Sequence, residues 1–247
     1  MTRKVALVTG GSKGIGLALV HRWVQAGHQV ITCARDAAYW QTVVDRYPHL
    51  STVDFKAVNL AQPDQTQAMF EAIRADYGRL DIAVNNASPK LQSGGTFAQV
   101  APDDLFQTLI DDLWAPARCL QHELNLMSSG GAIVNVSSIN GLRPTPSAAM
   151  YSAAKHGLEG LTHSVALEAI QSGIRINSVA PGVTWTPRWE QKQHDTPTIR
   201  EDVEKLVPAG RFAEPDEIAE TIEWLCSDRS RYIVGHTLVI DGGLSLK

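Results

Sequence analysis

Cysteine is scarce in this 247-residue chain, and its placement excludes two uses for it. Cys33, Cys119 and Cys226 lie far apart. Their odd number and the lack of a CxxC pair argue against a disulfide framework or a thiolate zinc site. The histidines are scattered and form no HExxH pair, so no metal site is expected. Long apolar runs are missing too, since none approaches the roughly 18 residues of a membrane helix. The N-terminal MTRKVALVTGG does not resemble a signal peptide, because its short apolar run ends in a glycine-rich turn. There is no basic excess: Lys+Arg 22 stand against Asp+Glu 26, a formal net charge of -4. That leaves no electrostatic footprint for nucleic acid. A cytoplasmic chain with neither nucleic-acid nor membrane partners is expected.

What is present is a chain with 44% hydrophobic residues, enough for one filled core over residues 1–247. Short apolar runs alternate with helical periods. Strands are expected in 4–9, 28–35, 51–60, 80–88, 130–138, 174–182 and 236–243, all from the printed sequence. Helices are expected after the first glycine turn, at 37–47, 64–78, 102–127 (despite Pro116), 149–172 and 216–228. Strand–helix alternation without a break implies an α/β fold, a predominantly seven-stranded parallel sheet covered on both faces. No repeat at a solenoid period interrupts it. Residues 183–212 show no clear period. They follow a strand's C-terminal end, where sheet ligands bind, and read as a substrate lid, with disorder or a surface helix as the alternative.

Two segments carry chemistry. In TGGSKGIG, Gly10, Gly14 and Gly16 allow a tight turn and close approach of a phosphate, with the following helix aiming free N–H groups at it. No Gly-Lys followed by Ser or Thr appears there, which excludes a P-loop. At the end of the second strand stand Arg35 and Asp36. Lys13 and Arg35 can converge on a ribose 2'-phosphate. Asp36 either pairs with Arg35 or, one residue out of register, engages the ribose. The second segment holds Ser138, Tyr151 and Lys155. Tyr151 and Lys155 are four apart, on one helix face. A nearby ammonium favours the tyrosinate, which suits a phenol exchanging a proton with a substrate oxygen. Ser138, just beyond the fifth strand, can hydrogen-bond the same oxygen.

These motifs, with NNAS at 85–88, Pro181–Gly182 with Thr186, GRFAEPDEIA at 210–219 and the terminal VIDGG, resemble the short-chain dehydrogenase/reductase family, of the bacterial ketoreductase-like type. The resemblance covers nearly all of residues 4–243. It implies a Rossmann-type doubly wound sheet and reversible hydride transfer between a nicotinamide cofactor and a carbonyl/alcohol pair. Tyr151 would be the proton donor, Ser138 would polarise the carbonyl, and Lys155 would bind the nicotinamide ribose and tune Tyr151. Cofactor contacts would come from Gly10, Ser12, Lys13, Gly14, Ile15, Gly16, Arg35, Asn59, Leu60, Asn86, Ala87, Tyr151, Lys155, Pro181, Gly182, Val183 and Thr186. Lys13 and Arg35 favour NADPH/NADP+, with NAD+ as the alternative. A homotetramer, or else a dimer, is the usual assembly.

Three departures stand out. Asp112 occupies the place of the family's usual relay asparagine, and joins the candidate catalytic set. It accepts hydrogen bonds but cannot donate when ionised. Ser88 replaces the glycine of NNAG, and Asn59 stands where an aspartate often meets adenine. Trp185 and Trp189 in the lid, with Trp114, favour an apolar or aromatic ketone or alcohol if they border the site. Otherwise they pack the lid or an oligomer seam. Arg188 and His194 are further candidates for a polar substrate group. The leading expectation is an NADPH-dependent carbonyl reductase. An NAD-dependent alcohol or dihydrodiol dehydrogenase and a turnover-dead nucleotide-binding regulator are the competing readings.

Overall fold

In the computed structural model, which describes residues 3–247, seven strands form one sheet. They are β1 (Val5–Thr9), β2 (Gln29–Ala34), β3 (Asp54–Ala57), β4 (Leu80–Asn85), β5 (Met127–Val136), β6 (Arg175–Pro181) and β7 (Thr237–Ile240). Their order is β3-β2-β1-β4-β5-β6-β7, and every pairing is parallel. β1 and β6 are buried along their whole length; β1 reads as an apolar run, whereas β6 also buries Arg175, Asn177 and Ser178, each hydrogen-bonded to a neighbouring segment.

Helices cover both faces. On one lie α1 (Gly14–Gln25), α2 (Ala37–Arg46) and α9 (Pro215–Leu225). They bury Leu19, Val20 and Trp23, Trp40 and Val43, and Ile218 and Ile222 against the strands. On the other lie α3 (Pro63–Tyr77), α5 (Ala115–Leu124) and α6 (Ala149–Ala169), contributing Met69, Phe70, Ile73, Cys119, Leu120, Ala166 and Ala169. All three cysteines are buried and unpaired. The chain direction across the sheet reverses between β1 and β4, which opens a crevice at the strands' C-terminal ends.

The single helix expected over 102–127 is two helices. α4 (Pro102–Leu109) and α5 are joined by a π-turn at Ile110–Trp114. Pro116 has no N–H to return to the carbonyl of residue 112, and the hydrogen-bond ladder slips there. The helix also stops early. Leu126 enters the core and its carbonyl accepts from Leu80 N at 3.0 Å, so β5 starts at Met127. A register shift between Leu80 and Ile82, which pair with Met127 and Ala132, accommodates the extra residues before the expected start of the strand. The helix expected to reach residue 172 ends at Ala169 in a short 3-10 turn. Residues 183–212 contain α7 (Pro187–Asp195) and α8 (Ile199–Glu204), neither with a fully buried residue. Short polar helices carry little period, which concealed them in the sequence.

Candidate active site

The crevice is floored by the turn from β1 into α1. Gly10 has φ 71° and Gly14 φ 54°, a region that favours glycine. Close approach explains Gly16. A Cβ there would press on the Gly10 carbonyl oxygen and lie 2.5 Å from Asn86 Nδ2. Asn86 Nδ2 donates to Thr9 O at 2.9 Å and to Gly10 O at 3.2 Å, bracing the turn from β4. Thr9 Oγ1 accepts from the backbone of Asn86 and Ala87 at 3.0 and 3.1 Å. Lys13 caps α1 without a side-chain bond, and no acid lies in the first turn. The N–H groups of Gly14, Ile15 and Gly16 therefore remain for an anion. Ser12 is buried beside them.

Asp36 is the N-cap of α2 and accepts from Tyr39 N at 2.9 Å. One oxygen of its side chain is thus engaged at a helix end, and the other carries no hydrogen bond among the described residues. Lys13 Nζ lies 3.8 Å above the Tyr39 ring, so the lysine charge is held at the β2–α2 turn where Arg35 is exposed. Arg35 also acts electrostatically on Asp111, whose carboxyl burial pushes up. Asn59 Oδ1 accepts from Ala61 N at 3.2 Å, leaving its amide N–H to donate, and Leu60 packs under the same loop.

Above this floor stand Ser138, Tyr151 and Lys155. Ser138 follows β5, and its Oγ accepts from Asn140 N at 3.1 Å. The short turn Ile139–Gly141 lies directly on α6, since a Cβ at Gly141 would be 2.9 Å from Lys155 backbone. Ser152 Oγ donates to Asn140 O at 2.7 Å, fastening that turn to the helix beside Tyr151. Lys155 Nζ is 5.6 Å from the Tyr151 ring centroid. Its ammonium is almost wholly buried, donates to Val136 O at 3.1 Å and lies 3.4 Å from Asp112 Oδ1. A buried ammonium needs such partners. The π-turn delivers Asp112 to this point, with its side chain 3% exposed, and Ser88 Oγ donates to the same oxygen at 2.8 Å.

Residues 183–212 reach this floor. Thr186, N-cap of α7, is placed so that a Cβ at Gly14 would be 3.0 Å from its methyl. Pro181 ends β6, Gly182 packs on Asp241, and Val183 O accepts from Ala213 N at 3.0 Å. Trp185 and Trp189 both stand edge-on to Phe212 with centroids 5.0 Å apart, so the two indoles pack the 183–212 segment on itself. This is the packing alternative. Trp114 is exposed and His194 sits beside Asp195 at 3.7 Å. Arg188, though exposed, donates to the carbonyls of Ser88 and Pro89, each at 2.9 Å.

Sequence reasoning missed Thr9, Ser152 and Glu123. The first two lie inside the quoted motifs, in TGG and YSAAK, where hydroxyls beside reacting groups are a usable signal. Glu123 is fully buried on α5, with burial pushing its carboxyl up to about 8 against a bond from Asn85. Nothing in its local sequence marks it.

The protein-family model described as Enoyl-(Acyl carrier protein) reductase matches residues 10–245. The chain is similar to a 3beta-hydroxysteroid dehydrogenase of Mediterraneibacter gnavus, at 34% identity over 98% of this chain and 95% of the relative. It is similar to an A-factor type gamma-butyrolactone 1'-reductase of Streptomyces virginiae, at 33% over 100% and 97%. The 3-oxoacyl-(acyl-carrier-protein) reductase of Thermotoga maritima is 33% identical over 98% and 97%. Among solved structures, ElxO with NADP bound superposes with a TM-score of 0.90 at 28% identity, covering all of both chains. An actinorhodin polyketide ketoreductase variant with NADPH gives 0.91 at 29%, covering 99% of this chain and 98% of that one. A doubly wound sheet with a glycine-floored crevice defines the class, a Rossmann-like oxidoreductase. Within it, this chain belongs to the short-chain dehydrogenase/reductase family.

Proposed function

We propose that the protein is an NADPH-dependent carbonyl reductase acting on a small-molecule ketone, with the alcohol as product. The observation that carries this reading is the buried Lys155 ammonium beside Tyr151, reached from the glycine floor of the same crevice. The floor fits a dinucleotide: the free first turn of α1 suits a pyrophosphate, and Lys13 held on Tyr39 beside exposed Arg35 suits a 2'-phosphate. When bound, the nicotinamide supplies the hydride. Tyr151 donates the proton to the developing alkoxide, and Ser138 hydrogen-bonds the carbonyl oxygen. Lys155 favours the tyrosinate that remains and offers its third N–H to the nicotinamide ribose. Asn59, Leu60, Asn86, Ala87, Pro181, Gly182, Val183 and Thr186 line the remainder of the seat.

Phe106, Trp114 and Leu167 are exposed along α4, the π-turn and α6, and Tyr232, Val239 and Leu246 near the β7 edge. These exposed hydrophobic residues are where contacts between copies in a homotetramer of this chain would lie. Three reduced, buried cysteines suit a cytoplasmic location. A ketone panel followed by NADPH and by NADH consumption tests the function. Catalytic efficiency at least ~tenfold better with NADH would refute the cofactor assignment, because it reverses the expected value of the Lys13–Arg35 pair.

A further inference from the structure

The two departures from the family pattern at Ser88 and Asp112 touch each other. Ser88 Oγ donates to Asp112 Oδ1 at 2.8 Å, and that oxygen lies 3.4 Å from Lys155 Nζ. An ionised carboxylate only accepts, so in this buried place each donor around it counts. A glycine at position 88 would supply no side-chain donor. An asparagine at position 112 would not need one in the same way.

Ser88 has a second connection. Its carbonyl and that of Pro89 both accept from Arg188 Nη2, which stands in the first turn of α7. One residue thus takes the lid on its backbone and the Asp112–Lys155 pair on its side chain. Pro89 fixes its own φ and limits how far the segment can give when the lid moves.

We propose that Ser88 is a positioning residue that couples docking of the α7 lid to the placement of the Lys155 ammonium. The link runs from Arg188 to the Ser88 backbone, through the Ser88 hydroxyl to Asp112, and from Asp112 to Lys155. When α7 lifts, Arg188 leaves the two carbonyls and the segment is released. Asp112 then loses its neutral donor and draws Lys155 toward itself, away from Tyr151. With the lid docked, the hydroxyl shares the carboxylate, and the ammonium stays between Val136 O, Asp112 and the phenol ring. The reaction centre is completed only under a closed lid.

The inference deepens the reductase reading, and the kinetic arm of its test rests on that reading while the exchange arm does not. The full-length protein and the variants Ser88→Ala, Ser88→Thr, Asp112→Asn, Arg188→Gln and Ser88→Ala/Asp112→Asn are compared. Readouts are kcat and KM with NADPH and a turned-over ketone, and amide hydrogen exchange over residues 187–195. Ser88→Ala should lower kcat about tenfold while the KM for NADPH stays within about twofold, a typical size for coupling between sites. Ser88→Thr, which keeps the hydroxyl, should recover most of that loss. In the Asp112→Asn background Ser88→Ala should cost less than about twofold more, because the two act as one unit. Arg188→Gln and Ser88→Ala should each raise exchange over 187–195 by roughly tenfold. The coupling is overturned if the Ser88 and Asp112 losses multiply, if Ser88→Thr behaves like Ser88→Ala, or if Ser88→Ala leaves the lid's exchange unchanged. If the wild type reduces no ketone, the reductase reading falls, and the exchange results alone decide the coupling.

Discussion

Replacing Glu123 by glutamine should make the protein more stable at alkaline pH and change it little at acid pH. Glu123 is fully buried, and Asn85 Nδ2 donates to its Oε2 at 3.0 Å. Asn85 Nδ2 also donates to Asn135 Oδ1, and Asn135 Nδ2 to Thr162 Oγ1, at 3.0 and 2.8 Å. Glu123 Oε1 and Asn85 Oδ1 are left as buried acceptors without a partner. A protonated carboxyl supplies the donor that this arrangement lacks. Burial raises the group from its ordinary 4.5 to about 8. The folded protein then holds a proton that the unfolded chain releases above 4.5. This contribution is fully present below 4.5 and is lost as pH rises toward 8. Each pH unit in that window costs about 1.4 kcal/mol, so pH 5 to pH 8 removes up to ~4 kcal/mol from the wild type. The amide has no proton to lose. Urea unfolding of both proteins at several pH values from about 5 to 8 measures the gap, which should widen with pH. Parallel stability curves would refute the reasoning by showing that Glu123 does not carry a proton into the fold.

Other expectations follow from the same geometry. Lys13→Ala/Arg35→Ala should lower kcat/KM with NADPH by at least about tenfold and leave NADH within about threefold, read from initial rates with each cofactor. Equal losses with both cofactors would remove the 2'-phosphate role. Gly16→Ala forces a Cβ onto the Gly10 carbonyl and the Asn86 amide. It should destabilise the fold by ~2 kcal/mol or more and weaken cofactor binding, seen by thermal unfolding and fluorescence titration; an unchanged Tm would contradict the close approach. Phe106→Glu/Leu167→Glu places charge on an exposed apolar face and should reduce the assembly size by light scattering. An unaltered mass would move the interface elsewhere.

Much of the fold was legible because parallel strands buried on both faces are rich in apolar residues, which β1 and the Ile82–Val84 stretch of β4 display plainly. The break near Asp112 was not, because the helical period continues through Pro116, whose missing N–H interrupts the ladder without changing the apolar pattern. The lid's helices lacked a buried face to give them a period. In the site, the Tyr151–Lys155 spacing is a local property of one helix and could be read directly. The Ser88–Asp112 contact joins residues 24 apart, and the Arg188 contact residues about 100 apart. Such pairs are created by the sheet's order, so they emerge only with tertiary structure. Asp36 shows a local role that its position next to Arg35 did not suggest: one carboxylate oxygen caps α2.

The central claim is that Tyr151 delivers the proton in carbonyl reduction. NADPH consumption with the best-reduced ketone, measured for wild type and Tyr151→Phe together with NADPH affinity by fluorescence, tests it most directly. The account predicts a kcat loss of roughly 10² to 10⁴-fold with NADPH affinity preserved within a few fold. Unchanged turnover in the phenylalanine variant would contradict it.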